Sequence, residues 1–481
     1  MRFSVVIRYI GVILLVLAAF MLLSAGIAYF SNVDSSYYPL VMSSLLTLLL
    51  GCFPLIFVPT TDRISTKEGY GIVVGAWIVA SIVGMFPYLM WGGEFSIINA
   101  WFESVSGFTT TGASILNNIE GLPRGLLFWR MATCWIGGVG VVMFALVILP
   151  SIGKSKRMMA NVELSSLARD NFNYRSQTIV RIVLTTYILM TIVTTLLLKL
   201  CGMCWFDALC HAMSACSTCG FGTKNTSIAF FNSGSIELVL VCAMMLSGLH
   251  FGLIYATITG KPNNIFRSEV SRVYFAVIGI ASLFVGLSLW LSEIYPNILL
   301  SMRSALFHTV SIITTSGFAT ADCNIWPSFA IMIMIFCAIV CGCAGSTSGG
   351  LKIDRFLVAI KMIRTRLQMQ RHPDAIFRTK IDGIVQDDNM MGTVMVYIVT
   401  YMLLILIGVF FNTLYGADLM TGFSAALACT SNVGPGFGDI GTMNNYSAMP
   451  VVTKMNLTAL MLLGRLEIFG LIQLFFIRWW R

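Results

Sequence analysis

Four short stretches share one pattern: Thr110-Thr111-Gly112-Ala113-Ser114, Thr218-Cys219-Gly220-Phe221-Gly222, Thr315-Ser316-Gly317-Phe318-Ala319 and Asn432-Val433-Gly434-Pro435-Gly436. Each puts a small polar residue two positions before a glycine and a small residue two positions after it. The four glycines recur at intervals of roughly a hundred residues, which is the spacing of an internal repeat. The match extends upstream. Nine positions before each glycine stand Glu103, His211, His308 and Ala425, and six before stand Ser106, Ser214, Ser311 and Ala428. The run leading into each loop opens at Ala100, Ala208, Ala305 or Gly422. These runs fall short of the roughly twenty apolar residues that a spanning helix needs, and they suit re-entrant helices. Irregular backbone at membrane depth is stable only where it is buried or lines water. Four such loops meeting at one axis would replace a cation's hydration shell with carbonyl oxygens.

The bulk composition agrees. Of 481 residues, 57% are hydrophobic and only 11% charged, where a soluble chain carries about 25% charged residues. This is a polytopic membrane protein. The apolar run from Tyr9 to Phe30 is too long for a signal-peptide core and reads as a retained span. The thirteen cysteines lie mostly inside apolar segments, where free cysteine acts as a small hydrophobe. Cys201 and Cys204 form the one spaced pair, with no further histidine or cysteine set to complete a metal site.

With the N-terminus placed inside and spans alternating, most of the 30 lysines and arginines fall in the inner loops and at the ends. That bias orients the chain with both termini cytoplasmic. It also accounts for the basic loops without nucleic acid, since no aromatic-interleaved basic patch accompanies them.

The predicted fold is an all-α polytopic membrane protein with four parallel, pseudo-symmetric repeats, each a span, a pore helix, a filter loop and a returning span. A hairpin, Tyr9–Phe30 and Tyr37–Val58, stands outside the repeats. The expected divisions are 1–62 for the hairpin, then 63–152, 153–260, 261–365 and 366–481 for the repeats, related by an axis along the membrane normal. The returning spans are Leu122–Leu149, Glu237–Ile258, Pro327–Ile360 and Val451–Ile477. The inner loops Ser151–Arg175 and Lys361–Asn389 hold most of the charge, suited to lipid headgroups or a cytosolic docking partner.

The candidate filter comprises Thr110, Thr111, Gly112, Thr218, Cys219, Gly220, Thr315, Ser316, Gly317, Asn432, Val433 and Gly434, with backbone carbonyls as ligands and the threonine hydroxyls and the Asn432 amide beside them. Glu103, on the first pore helix, is expected to brace a neighbouring loop, and so are His211 and His308. The third returning span is interrupted by Gly342, Cys343, Ala344, Gly345, Ser346, Thr347, Ser348, Gly349 and Gly350. Each glycine costs a helix about 1 kcal/mol, so this segment is expected to be an intramembrane loop below the filter, placed as a gate. The other three returning spans lack such a run and are expected to be unbroken. Arg465 falls mid-membrane, where a charge is costly unless it faces water or a partner. It is a candidate barrier to a cation, shielded or moved by the gate loop. Glu467 lies on another face of the same helix.

These motifs resemble the superfamily of K⁺ transporters that includes Trk, Ktr and HKT proteins, and within it the TrkH-like membrane subunits of the bacterial Trk system. The resemblance runs over the whole chain, through the filter loops, Cys341-Gly-Cys-Ala-Gly-Ser-Thr, Asn432-Val-Gly-Pro-Gly and Gly464-Arg-Leu-Glu. It implies K⁺ uptake across the bacterial inner membrane, a homodimer with one pore per protomer, and a cytosolic ring of TrkA-like nucleotide-binding subunits acting on the gate. On that reading nucleotide acts only through the partner, no cofactor is covalently bound, and K⁺ at the filter is the one metal. Serine at the first glycine position goes with Na⁺ passage in relatives; this chain has Gly112. Cys219 and Ser114 depart from the usual filter context. A Na⁺-permeable or Na⁺/H⁺-coupled transporter is the alternative on the same scaffold. A membrane-embedded enzyme is the remote one, since four histidines leave little with which to build an active site.

Overall fold

The computed structural model describes residues 2–59, 65–151, 176–260, 264–375 and 377–466. Residues 152–175, expected as an inner loop, and 467–481, with Glu467, lie outside the described residues.

The chain opens with α1 (Phe3–Phe30) and α2 (Tyr37–Phe57). They pack closely at Gly11, where an added Cβ would sit 2.8 Å from the Gly51 carbonyl oxygen. Small residues at a crossing allow such backbone approach in a bilayer. A capping box opens α3 (Thr66–Gly84): Glu68 N–H donates to Ser65 Oγ at 3.3 Å, and Ser65 N–H to Glu68 Oε2 at 2.8 Å. Pro87, in the first turn of α4 (Phe86–Trp91), restarts the helix at that break.

The first short helix, α5 (Ile97–Phe108), and the returning α6 (Arg124–Ser151) follow. Next come α7 (Ser176–Leu200), the short α8 (Trp205–Ser217), α9 (Gly234–Ser247) and α10 (Phe251–Ile258). The third set is α11 (Glu269–Leu291), the short α12 (Ile298–Ile313), α13 (Ser328–Val340) and α14 (Ile353–Arg371). The last is α15 (Asp388–Leu414), the short α16 (Leu419–Ser431) and α17 (Val451–Arg465). Among the described residues, six helices are long and apolar enough to cross a bilayer. The four short helices have 12 to 16 residues, or about 18–24 Å at 1.5 Å per residue, too short to cross.

Two details differ from the expectations above. The second returning span is not continuous: α9 and α10 meet at 106° across Gly248–His250. Ser247, Gly248, His250 and Gly252 still leave the whole segment apolar on average, so mean hydropathy does not mark this bend. Contacts hold it instead: Cys343 N–H donates to the Gly248 carbonyl at 2.9 Å, and Phe251 N–H to the Gly345 carbonyl at 3.2 Å. The second difference is α14, which runs without interruption past Lys361, the expected start of the inner loop, to Arg371.

Beyond α14, part of the charged inner loop is folded. Lys380–Ile381 pairs antiparallel with Ile384–Val385 around an Asp382–Gly383 turn, a pair suited to the left-handed backbone of a tight hairpin. Lys361 Nζ bonds the Lys380 carbonyl at 2.7 Å and lies 2.5 Å from Glu269 Oε1. Glu269 N–H in turn donates to Asp382 Oδ1 at 2.6 Å. The hairpin thus ties α14, directly behind the glycine-rich break, to the start of α11.

Candidate ion pathway

Each short helix leads directly into one of the four glycine loops. Side chains cap three of them at the other end: Ser96 Oγ accepts from Asn99 N–H at 3.3 Å, Cys204 Sγ from Asp207 N–H at 3.4 Å, and Asp418 Oδ2 from Met420 N–H at 3.2 Å. Cys204 is therefore a helix cap. The free carbonyls at the other ends leave partial negative charge where the loops begin.

The loops share one backbone conformation. Thr110, Thr218, Thr315 and Asn432 have φ between 51° and 58°, and Gly112, Gly220, Gly317 and Gly434 have φ between 73° and 93°. Positive φ is unusual for β-branched threonine and costs of order 1–3 kcal/mol. A common hydrogen bond holds it. The residue before each glycine donates its N–H to the carbonyl five positions back: Thr111 to Ser106 at 2.9 Å, Cys219 to Ser214 at 3.0 Å, Ser316 to Ser311 at 2.8 Å and Val433 to Ala428 at 2.9 Å. The recurrent small residue six before the glycine is thus the backbone anchor of the loop.

The loops close on one another. A Cβ added at Gly112 would overlap the carbonyl oxygen of Cys219; at Gly220, that of Ser316; at Gly317, that of Val433; and at Gly434, that of Thr111. The order first-to-second, second-to-third, third-to-fourth, fourth-to-first is a closed ring. In each copy the glycine packs against a carbonyl of the next loop, at a position where no side chain fits.

The middle residues send their side chains into the surrounding wall. Thr111 Oγ1 lies 2.7 Å from Thr109 Oγ1, and Ser316 Oγ lies 2.9 Å from Thr314 Oγ1. Cys219 Sγ donates to Cys134 Sγ on α6 at 2.8 Å, so the sequence departure at Cys219 alters the wall behind the ring. The hydroxyls expected beside the carbonyls are not equivalent. Thr218 Oγ1 donates to the Ser217 carbonyl at 2.6 Å, Thr315 Oγ1 accepts from Gly349 N–H at 3.0 Å, and Thr110 Oγ1 has no partner among the described residues. Asn432 Nδ2 bonds Thr111 Oγ1 at 2.9 Å and the Met461 carbonyl at 3.1 Å.

Two of the four residues nine before the glycines, Glu103 and His308, brace the loops' outgoing limbs. Glu103 accepts from Ile115 N–H at 3.1 Å and from Ser114 Oγ at 3.0 Å. His308 accepts from Thr320 N–H at Nε2, 3.3 Å, while its Nδ1 faces the Ser304 carbonyl at 2.9 Å. In the fourth repeat Ala425 cannot do this, and Ser424 takes over, accepting from Phe437 N–H at 3.0 Å. Ile115, Thr320 and Phe437 are each three residues past their glycine. His211 bonds the Asp207 carbonyl through Nδ1 at 2.8 Å, and its Nε2 reaches no partner among the described residues.

Arg130, on α6, was not among the residues singled out above. Its Nε donates to Glu103 Oε1 at 2.6 Å, its Nη1 donates to the Gly222 carbonyl at 3.1 Å, and its guanidinium sits 3.5 Å from the Phe221 ring centroid. Both charges are buried. One ion pair therefore links the outgoing limbs of the first two loops. An arginine inside the apolar run Leu122–Leu149, with an acid on the preceding short helix, was the available signal: buried membrane charges require partners. Arg130→Met leaves the Glu103 carboxylate buried without its cation and is expected to destabilise the protein by about 3–5 kcal/mol. Thermal unfolding in detergent reads this, and adding Glu103→Gln to Arg130→Met should recover part of the loss.

The glycine-rich break lies against the ring. Gly349 N–H bonds Thr315 Oγ1 at 3.0 Å, Thr347 Oγ1 bonds the Cys216 carbonyl at 3.0 Å, and a Cβ at Gly349 would sit 2.6 Å from the Ser431 carbonyl. Gly345 fits against the His250 ring with no room for a Cβ. Asp354, on the first turn of α14, accepts from Ala344 N–H at 2.6 Å. Arg465 is buried and donates from Nη1 to the Thr347 carbonyl at 2.7 Å; its Nε and Nη2 have no partner among the described residues. The loop, the bend of the second returning span and Arg465 thus form one contact set around the ring.

The family model of the TrkH family, described as cation transport protein, matches residues 45–285 and 296–479. The chain belongs to the TrkH family. Among its relatives, the Trk system potassium uptake protein TrkH of Salmonella typhimurium is 30% identical over 487 residues, covering 100% of both chains. The protein of that name from Halomonas elongata is 32% identical over 445 residues, 91% of each. The fold is similar to the crystal structure of the potassium transporter TrkH from Vibrio parahaemolyticus, with a TM-score of 0.91 and 29% identity over 100% of both chains. TrkH-family membership makes this a multi-pass transport protein, and the enzyme reading falls away.

Proposed function

We propose that this chain is the membrane subunit of a K⁺ uptake system, passing K⁺ through the ring of glycine loops. The observation that carries the reading is the closed four-loop contact, in which the carbonyls of Thr111, Cys219, Ser316 and Val433 each pack against the preceding loop's glycine. Carbonyl rings of this kind substitute for a cation's hydration shell. The names of the full-length relatives supply the ion.

On this proposal the twelve residues Thr110–Gly112, Thr218–Gly220, Thr315–Gly317 and Asn432–Gly434 form the filter, Gly342–Gly350 is the gate, and Arg465 holds the gate closed. The divisions after residues 62, 152, 260 and 365 then separate a hairpin from four filter-bearing repeats. The protein is a homodimer in the inner membrane with both termini cytoplasmic. A TrkA-like nucleotide-binding ring docks on the inner loops and acts through α14, whose first turn contacts the gate through Asp354.

The direct test is flux of K⁺, Rb⁺, Na⁺ and Li⁺ into liposomes holding the purified protein under an imposed potential. K⁺ and Rb⁺ should enter with Na⁺ and Li⁺ largely excluded. Equal Na⁺ entry would overturn the selectivity, and no flux even with the nucleotide-loaded partner ring would overturn the pore.

A further inference from the structure

The ring is uneven in one respect. Of the carbonyl oxygens of Gly112, Gly220, Gly317 and Gly434, that of Gly434 alone accepts a hydrogen bond among the described residues, from Tyr446 Oη at 2.6 Å. Tyr446 is buried and lies on the segment leaving the fourth loop, twelve residues beyond its glycine. Its own N–H donates to the Ser114 carbonyl of the first loop at 2.8 Å, and its ring lies 5.5 Å from that of Phe102 on the first short helix. Tyr446 is therefore wedged between the fourth and first repeats, with its hydroxyl on the backbone of a proposed filter glycine.

We infer that Tyr446 is a positioning residue that sets ion specificity. Gly434, with φ of 93° and no side chain, has a peptide that can rotate at little cost. A hydroxyl donor in the wall holds its carbonyl outward. Unheld, the fourth loop is free to move inward and follow a smaller ion, supplying oxygen at the shorter distance that Na⁺ requires. Among the described residues the other three glycine carbonyls have no such donor, so one tyrosine controls how far the ring contracts. The closing of the fourth loop onto the first at Thr111 makes this the joint where contraction is most readily transmitted.

This inference rests on the reading of the four loops as the filter. Tyr446→Phe removes the hydroxyl alone; the ring packing on Phe102 and the backbone bond to Ser114 remain. The K⁺/Na⁺ permeability ratio, read from bi-ionic reversal potentials of the reconstituted protein, is expected to fall by roughly fivefold, the order of effect of one lost hydrogen bond. A merely structural role would lower the flux of every ion together and leave the ratio in place. A ratio unchanged or raised overturns the proposal. Gly112→Ser measured beside it separates the two readings: a shift there with none in Tyr446→Phe removes only the tyrosine's role, and no shift in either removes the filter as well.

Discussion

Gly112→Ser is expected to lower the K⁺/Na⁺ permeability ratio by at least about tenfold. Gly112 has φ of 77°, and a Cβ there would overlap the Cys219 carbonyl of the next loop. The left-handed backbone alone costs a non-glycine residue roughly 1–2 kcal/mol. The overlap forces one loop aside, and neither moves freely. Thr111 N–H is bound to Ser106, Ile115 N–H to Glu103, and Cys219 N–H to Ser214. The ring therefore opens at the junction of its first two loops, where the carbonyl oxygens facing the ion are displaced. A loss of about 1.4 kcal/mol in discrimination is tenfold in ratio. Bi-ionic potentials read the change. Gly279→Ser is the matched control, because a Cβ at Gly279 meets nothing within 4 Å. A tenfold fall in the control, or none in Gly112→Ser, would place selectivity elsewhere.

Arg465→Ala should raise partner-free cation flux by roughly tenfold to a hundredfold with the K⁺/Na⁺ ratio unchanged. Arg465 Nη1 holds the Thr347 carbonyl at 2.7 Å, and Thr347 in turn bonds the Cys216 carbonyl at the end of the second short helix. A hydrogen bond to a charged group contributes about 1.5–3 kcal/mol, which converts to that range of shift between closed and open loop. Removing a buried cation beneath the ring also removes a repulsion felt by every entering ion. Both effects raise conduction, and neither touches the carbonyl ring. Arg465→Lys keeps the charge but not the planar fork, and should fall between the two. Flux unchanged or reduced in the alanine variant would refute the anchoring role.

The sequence carried the features that repeat or that break a rule. The glycine loops were legible because the same three-residue constraint occurs four times, each after a helix too short to span. The interruption at Gly342–Gly350 was legible because four glycines in nine residues do not make a helix. Arg465 was legible because a charge in an apolar run is costly wherever it sits. The bend at Gly248–His250 was not, since the segment around it stays apolar on average, and the bonds that set it come from Cys343 and Gly345, far along the chain.

Side-chain pairings were likewise hidden, within a repeat as well as between repeats. Tyr446 with Gly434 and Arg465 with Thr347 depend on which segments end up side by side, and no local pattern encodes that. The threonine hydroxyls show the same limit: at matched positions Thr218 and Thr315 have different partners and Thr110 has none among the described residues, because the surroundings of the loops differ. Local backbone chemistry, repeated four times, thus determined the kind of protein from sequence alone: short helices and four glycine loops of one shared conformation. The tertiary structure alone decided which carbonyl is tethered, which loop leans on the ring and which charge holds it, because a hydrogen bond depends on where two atoms meet and a linear pattern records only what each one is.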